Sequence, residues 1–340
     1  MSQGAEPNPG FSFAGYHRFW CVADFLLRDL DPPDSAWRSL FAAPGYRELA
    51  RRDRFAEGFM ETVRMALMPS RGHLLAHVLQ GGADAGILRH VLAVAATRSA
   101  LGRAMRAVEE TPLAASARAA ALAWLPQGPL PDFPDVSFVI FAPDALGQDG
   151  VVLDARHFCA SENPALLLAH AYHHVFRRRL AARPGAVPPG GEDVLWVLDQ
   201  LELEGIADQI DKRAWPAALP PGPDYLAEYG RRYRAAFQAA PGQLRRLDAL
   251  LEAWLRLPRQ RPRLARRMRL GLPLAGHPTG SFMARSIERA YGRAACISAV
   301  GDPFAFLRLY SASAAGDAPP LSSAALAAID QLEGASLPRA

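Results

Sequence analysis

Apolar residues recur at helical spacing over most of this chain. Phe19, Trp20, Val22, Ala23, Phe25, Leu26 and Leu27 form one stripe, and Phe55, Phe59, Val63, Met65, Ala66 and Leu67 form another. The pattern predicts helix almost throughout residues 16–110, including one long helix over 87–108, and a shorter helix over 113–125. A turn-rich stretch at 126–134 then gives way to Val136-Ser137-Phe138-Val139-Ile140-Phe141, whose β-branched and aromatic content predicts a strand. A second short strand is expected at 151–154, so that the two make a small hairpin or sheet edge. Ser161 is an expected N-cap for a helix over 164–180 that ends in Arg177, Arg178 and Arg179. A long amphipathic helix follows over 192–213 and stops at Trp215-Pro216. Beyond the linker Pro220–Pro223, helices are expected over 225–239, 243–255, 280–291, 303–314 and 322–332. The fold class is therefore α+β and predominantly α-helical. Its regions are a helical N-terminal part (1–130), a segment of strands and long helices (131–215), and a helical C-terminal part (224–340), which could also form one continuous unit.

Composition narrows the setting. Half of the 340 residues are hydrophobic, enough to bury a substantial core. The first nine residues are polar, with no cationic start or apolar signal segment, and no run approaches the roughly 18 apolar residues needed to span a bilayer. A soluble, cytoplasmic protein is expected. Cys21, Cys159 and Cys296 lie far apart and in no metal-ligand pattern, so they are read as reduced. The formal net charge is only +4, and almost every cation is arginine, Lys212 being the single lysine. The dense basic run over 259–269 lacks interleaved aromatics and reads as a solvated helix face, so nucleic acid is not an expected partner.

The chemistry-bearing segment is Leu166-Leu167-Leu168-Ala169-His170-Ala171-Tyr172-His173-His174-Val175-Phe176. Residues four apart on a helix lie about 40° apart, so His170 and His174 point the same way and can share one ion. This is the metal-binding half of the His-Glu-x-x-His zinc motif, but Ala171 stands where the glutamate general base belongs. The next long helix supplies Glu202-Leu203-Glu204-Gly205-Ile206-Ala207-Asp208, in which Glu204 and Asp208 again share a face. Glu204 could serve as a third ligand, Gly205 could let the two helices approach, and Asp208 could orient a ligating histidine through its other ring nitrogen. His73 and His77 have the same spacing without an acidic partner segment and are read as structural. Cys159, with His157 and Asp154, has the residue types of a nucleophilic triad, but a buried structural thiol is the simpler reading.

The run from the Val136 strand through His170-Ala171-Tyr172-His173-His174 to Glu204-Gly205-Ile206-Ala207-Asp208 resembles the gluzincin metallopeptidases, in particular zinc-dependent proteases with a His-Glu-Tyr-His-His core and a downstream Glu-Gly-hydrophobic-Ala-Asp segment. The resemblance implies a zincin-like core with a small β-sheet and a two-helix metal site. It implies His170, His174 and Glu204 as zinc ligands, Asp208 behind them as an orienting carboxylate, and the Val136 strand as a substrate-lining edge. A looser similarity at His277-Pro278-Thr279-Gly280-Ser281-Phe282-Met283-Ala284 implies His277 as a group that polarises the scissile carbonyl. The departure is Ala171, which can neither take nor return a proton. His173, about 60° from His170 on the helix, and Glu202 are the nearby candidates for a replacement base.

Three functions remain consistent with these residues. One is a zinc-dependent hydrolase or peptidase with a relocated base, acting on peptide or amide bonds. Another is a degenerate peptidase fold that binds a peptide or small molecule without cleaving it. The third is a non-haem Fe(II) enzyme using His170, His174 and Glu204 as a two-histidine, one-carboxylate triad, which requires no glutamate at position 171.

Overall fold

The computed structural model describes residues 10–51, 55–79, 85–128, 132–142, 145–147, 150–181 and 187–336. They divide into two compact units, one comprising the chain up to Arg118 with Asp132–Val175, the other Ala119–Pro131 with Phe176–Ala340.

In the first unit, strand β1 (Phe11–Ser12) leads into helices α1 (Ala14–Leu26), α2 (Asp34–Phe41), α3 (Pro44–Ala50), α4 (Phe55–Leu67), α5 (Gly72–Leu79), α6 (Ala85–Ala96), α7 (Arg98–Glu110) and α8 (Leu113–Leu122), whose last turn from Ala119 belongs to the second unit. Strands β2 (Val136–Val139), β3 (Ala145–Gly147) and β4 (Val151–Asp154) follow, then α9 (Ala155–Ala160) and α10 (Pro164–Leu180), which continues into the second unit. The stripe on α1 is buried at Phe19, Trp20, Val22, Ala23 and Leu26, whereas Leu27 is exposed at the helix end. Thr97 splits the single helix expected over 87–108 into α6 and α7. Its hydroxyl donates to Ala93 O at 2.8 Å, and its backbone leaves the helical region at φ −109°, ψ 13°.

The strand order is β1-β2-β4-β3. β2 runs parallel to both β1 and β4, while β3 pairs antiparallel with β4, so the expected hairpin between the Val136 and Val151 strands is replaced by a parallel pair. Parallel neighbours need a crossover, and the segment between them supplies β3 at the sheet's edge. Burial of every residue in β2 and β4 matches their near-continuous apolar sequence. β2 is accordingly an interior strand rather than the substrate-lining edge expected for it. Tyr46 on α3 ties off its end, its phenol donating to Ile140 O at 2.6 Å and accepting from Ile140 N–H at 3.2 Å.

The second unit is helical: α11 (Gly191–Asp211), α12 (Asp224–Gln238), α13 (Ala240–Arg256), α14 (Arg261–Leu270), α15 (His277–Tyr291), α16 (Arg293–Ser298), α17 (Pro303–Ser313) and α18 (Ser323–Ser336). From Leu201 to Ile210 every residue of α11 is buried, the signature of a helix covered on all sides, and α14, α15 and α17 pack against it. The basic run forms α14 and partly stitches the fold. Arg261 donates to Trp254 O at 3.1 Å and stacks on that ring, while Arg269 pairs with Asp193 and lies over Trp196. Among the described residues no helix is long and apolar enough to cross a membrane.

Candidate metal centre

On α10 the triple-histidine segment faces inward. His170, His173 and His174 are all buried, and the His170 and His174 rings meet edge to face with centroids 4.4 Å apart. The i,i+4 spacing thus puts two imidazoles side by side. Ala171 is also buried, and Tyr172 packs edge-on against Phe133 with centroids 4.9 Å apart.

In the second unit, one turn of α11 presents Glu204 and Asp208, and α15 brings His277 to them. The crossing of α11 and α15 depends on paired glycines. A Cβ on Gly205 would lie 2.5 Å from the backbone carbonyl carbon of Gly280, and one on Gly280 would run into the carbonyl of Leu201. Gly205 therefore admits α15, not α10 as the sequence suggests. Gln209 fastens the crossing, its side-chain amide donating to Gly205 O and to Ser281 Oγ, both at 3.0 Å.

α15 begins at His277, three residues before its expected start, so that His277 belongs to the first helical turn. Leu274, Ala275 and Gly276 precede it with φ values of +46°, +52° and +98°. Two non-glycine residues in the left-handed region cost roughly 1–3 kcal/mol each, an expense met where the surrounding structure fixes a side chain firmly. His277 Nδ1 donates to Asp208 Oδ1 at 2.9 Å and lies 3.1 Å from Glu204 Oε2. Burial pulls the pKa of His277 down, but the two carboxylates outweigh it and the net shift is upward. Asp208 is fully buried and further engaged: Tyr233 OH donates to Oδ2 at 2.9 Å, and Lys212 Nζ lies 3.0 Å from Oδ1. Burial and the neighbouring Asp208 charge raise the Tyr233 phenol well above its usual range, so it remains a donor.

Glu204, Asp208 and His277 can each offer a ligand atom within 4.8 Å of the others. Two carboxylates and an imidazole are donors suited to zinc or Fe(II), so this donor set fits a transition-metal dication.

Glu202 has a different neighbourhood. It is fully buried, accepts from Arg177 Nε at 2.6 Å and from Gly301 N–H at 3.0 Å, and its pKa is pushed up to about 7 by burial against the opposing pull of Arg177. Asp199 pairs with Nη2 of the same guanidinium, a nitrogen that Glu202 also contacts. In the first unit Asp154 forms no triad with His157 and Cys159. Its Oδ2 lies 2.8 Å from His90 Nε2 and accepts from Phe141 N–H, while Oδ1 caps α9 through His157 N–H. Burial, reinforced by the Asp154 charge, pushes the Cys159 thiol up to about 12. His73 is exposed and its Nδ1 donates to Ser70 O at 3.0 Å, whereas the side chain of His77 lies outside the described residues.

Sequence reasoning gave no role to Lys212, Tyr233 or Gln209, and marked Arg177 only as a basic residue at a helix end. Only Lys212 carried a signal, as the chain's single lysine placed four residues after Asp208.

A family model described as "Putative zinc dependent peptidase (DUF5700)" matches residues 37–318. Neither a curated protein nor a solved structure matches the chain.

Proposed function

The chain belongs to this DUF5700 family of zinc-dependent peptidase type, and from that premise we propose that it is a zincin-like metalloprotein whose ion is held jointly by α10 and α11. In this reading, which the sequence motifs support, His170 and His174 are the imidazole ligands and Glu204 is the carboxylate ligand, with Asp208 and His277 beside Glu204 in the second unit. The observation that carries the proposal is the convergence of His277 on Glu204 and Asp208, two side chains already expected to belong to a metal site.

Zinc, when bound, supplies Lewis acidity that polarises a substrate carbonyl and acidifies water. The chain's own residues supply position and proton transfer. Asp208 fixes the His277 ring through Nδ1, which makes Nε2 the nitrogen that exchanges a proton with substrate. His277 thereby takes the proton-carrying part that Ala171 cannot play. Glu202 is set aside as the replacement base because Arg177 and Gly301 engage both of its oxygens. His173 is set aside because its ring is wholly buried. The reaction class is hydrolysis of a peptide or amide bond.

A second reading, a peptidase homologue that binds a peptide or small molecule without turnover, draws on the buried methyl group of Ala171. Metal analysis of untagged protein tests the common part. Stoichiometric zinc that is lost in Glu204→Ala supports the centre, iron in its place supports the two-histidine, one-carboxylate alternative, and metal-free protein that takes up neither ion refutes both. Turnover of a peptide library that is lost in His277→Ala with zinc retained supports the hydrolase over the binding protein.

A further inference from the structure

Lys212 is the one cation in this chain that is lysine, and it is buried beside the candidate metal centre. Its ammonium lies 3.0 Å from Asp208 Oδ1 and 3.0 Å from Asp211 Oδ2, and sits over the Trp215 ring at 5.8 Å. Burial opposes its charge, but the two aspartates outweigh that effect and raise its pKa, so Lys212 stays protonated and is no nucleophile. A compact ammonium can direct its donors to two carboxylates on the same turn of helix, whereas a guanidinium presents a rigid planar fork.

Asp208 already receives Tyr233 on Oδ2 and both Lys212 and His277 on Oδ1. The nearby carboxylates are Glu204, Asp208 and Asp211. We propose that Lys212 is a positioning residue: it holds Asp208 as the anchor of His277 and keeps that carboxylate out of the metal's coordination shell. Without Lys212, Asp208 becomes an extra oxygen ligand and the centre shifts towards higher coordination, the preference of harder cations.

This inference rests on the metal reading above, and Co(II) as the probe ion separates the two. In wild-type protein Co(II) gives the intense visible bands of four-coordination. In Lys212→Met those bands weaken several-fold as Asp208 enters the shell, and in Lys212→Met/Asp208→Asn the intensity returns. A Lys212→Met spectrum identical to wild type overturns the positioning role, even if the variant has lost thermal stability. Wild-type protein that takes up no Co(II) overturns the metal reading and this inference with it. A second measurement needs no variant. Selective 15N-lysine labelling gives one Nζ resonance in this chain, which persists on zinc addition if the ammonium keeps its carboxylates. Its loss to solvent exchange on zinc addition would show the metal taking Asp208 and would sink the proposal. If Lys212→Met does not fold, the wild-type resonance decides.

Discussion

Position 171 illustrates how much chemistry one side chain controls. Ala171 is buried next to His170, so a carboxylate introduced there is costly unless an ion or a proton donor meets it. Ala171→Glu is expected to gain peptidase activity, by at most about 10²–10⁴-fold, the usual worth of general acid–base assistance, because His277 already carries part of the proton transfer, and to unfold at lower temperature in chelator than in zinc. Assays of turnover and melting temperature on the same preparation check both. Arg177 gives the structural counterpart. Arg177→Met leaves the buried Glu202 without its cation and with only the Gly301 N–H as donor, and such a loss costs about 3–5 kcal/mol by urea unfolding, with Arg177→Met/Glu202→Leu recovering part of it. Cysteine reactivity is a third residue-scale expectation. The thiols of Cys159 and Cys296, both pushed up to about 12 chiefly by burial, stay protonated at pH 8, whereas Cys21 is exposed. Alkylation followed by mass mapping should modify Cys21 first and the other two only after unfolding. The histidine pair was legible because its geometry is contained in four residues of one helix. The commitment of Glu202 to Arg177 was not, because the two are 25 positions apart and on different helices.

At the scale of elements, helices announce themselves and their crossings do not. The 3.6-residue period identified α1, α4, α10, α11 and α17 because each buries one face or all of its surface. Thr97, whose hydroxyl turns back onto its own helix, divided a stretch that the same period joins. For the strands, β-branched and aromatic content located β2 and β4 but carried no information on whether they run parallel, since the direction of pairing is set by the crossover between them. The α11–α15 crossing is the element-scale feature on which the site depends. Alanine at Gly280 gains about 1 kcal/mol of helix propensity, yet its methyl group meets backbone rather than a yielding side chain. Overpacking of about 1–3 kcal/mol outweighs the gain. Gly280→Ala should therefore lower the melting temperature and also weaken zinc binding in a chelator competition, because the same displacement carries His277 from Asp208.

At the scale of the molecule, the family match runs from 37 to 318 and so extends over both compact units. An ion bound by the native chain and not by the unfolded one adds about 2.7 kcal/mol at 100 times its dissociation constant. Zinc should raise the unfolding temperature of the wild-type protein, and Glu204→Ala should flatten that response; a zinc response undiminished in Glu204→Ala would place the ion elsewhere. The sequence by itself determined what is local: the predominance of helix, the inward pair His170 and His174, the shared face of Glu204 and Asp208, and the absence of a glutamate at 171. These follow from side-chain periodicity within a few residues, which any chain encodes directly. Tertiary structure decided the partners. His277 meets Asp208 across 69 positions because two glycines let their helices touch, Glu202 is claimed by Arg177, and the sole lysine is drawn among carboxylates. Those choices follow from packing and from the cost of burying charge unpaired, neither of which is visible until distant segments occupy the same space.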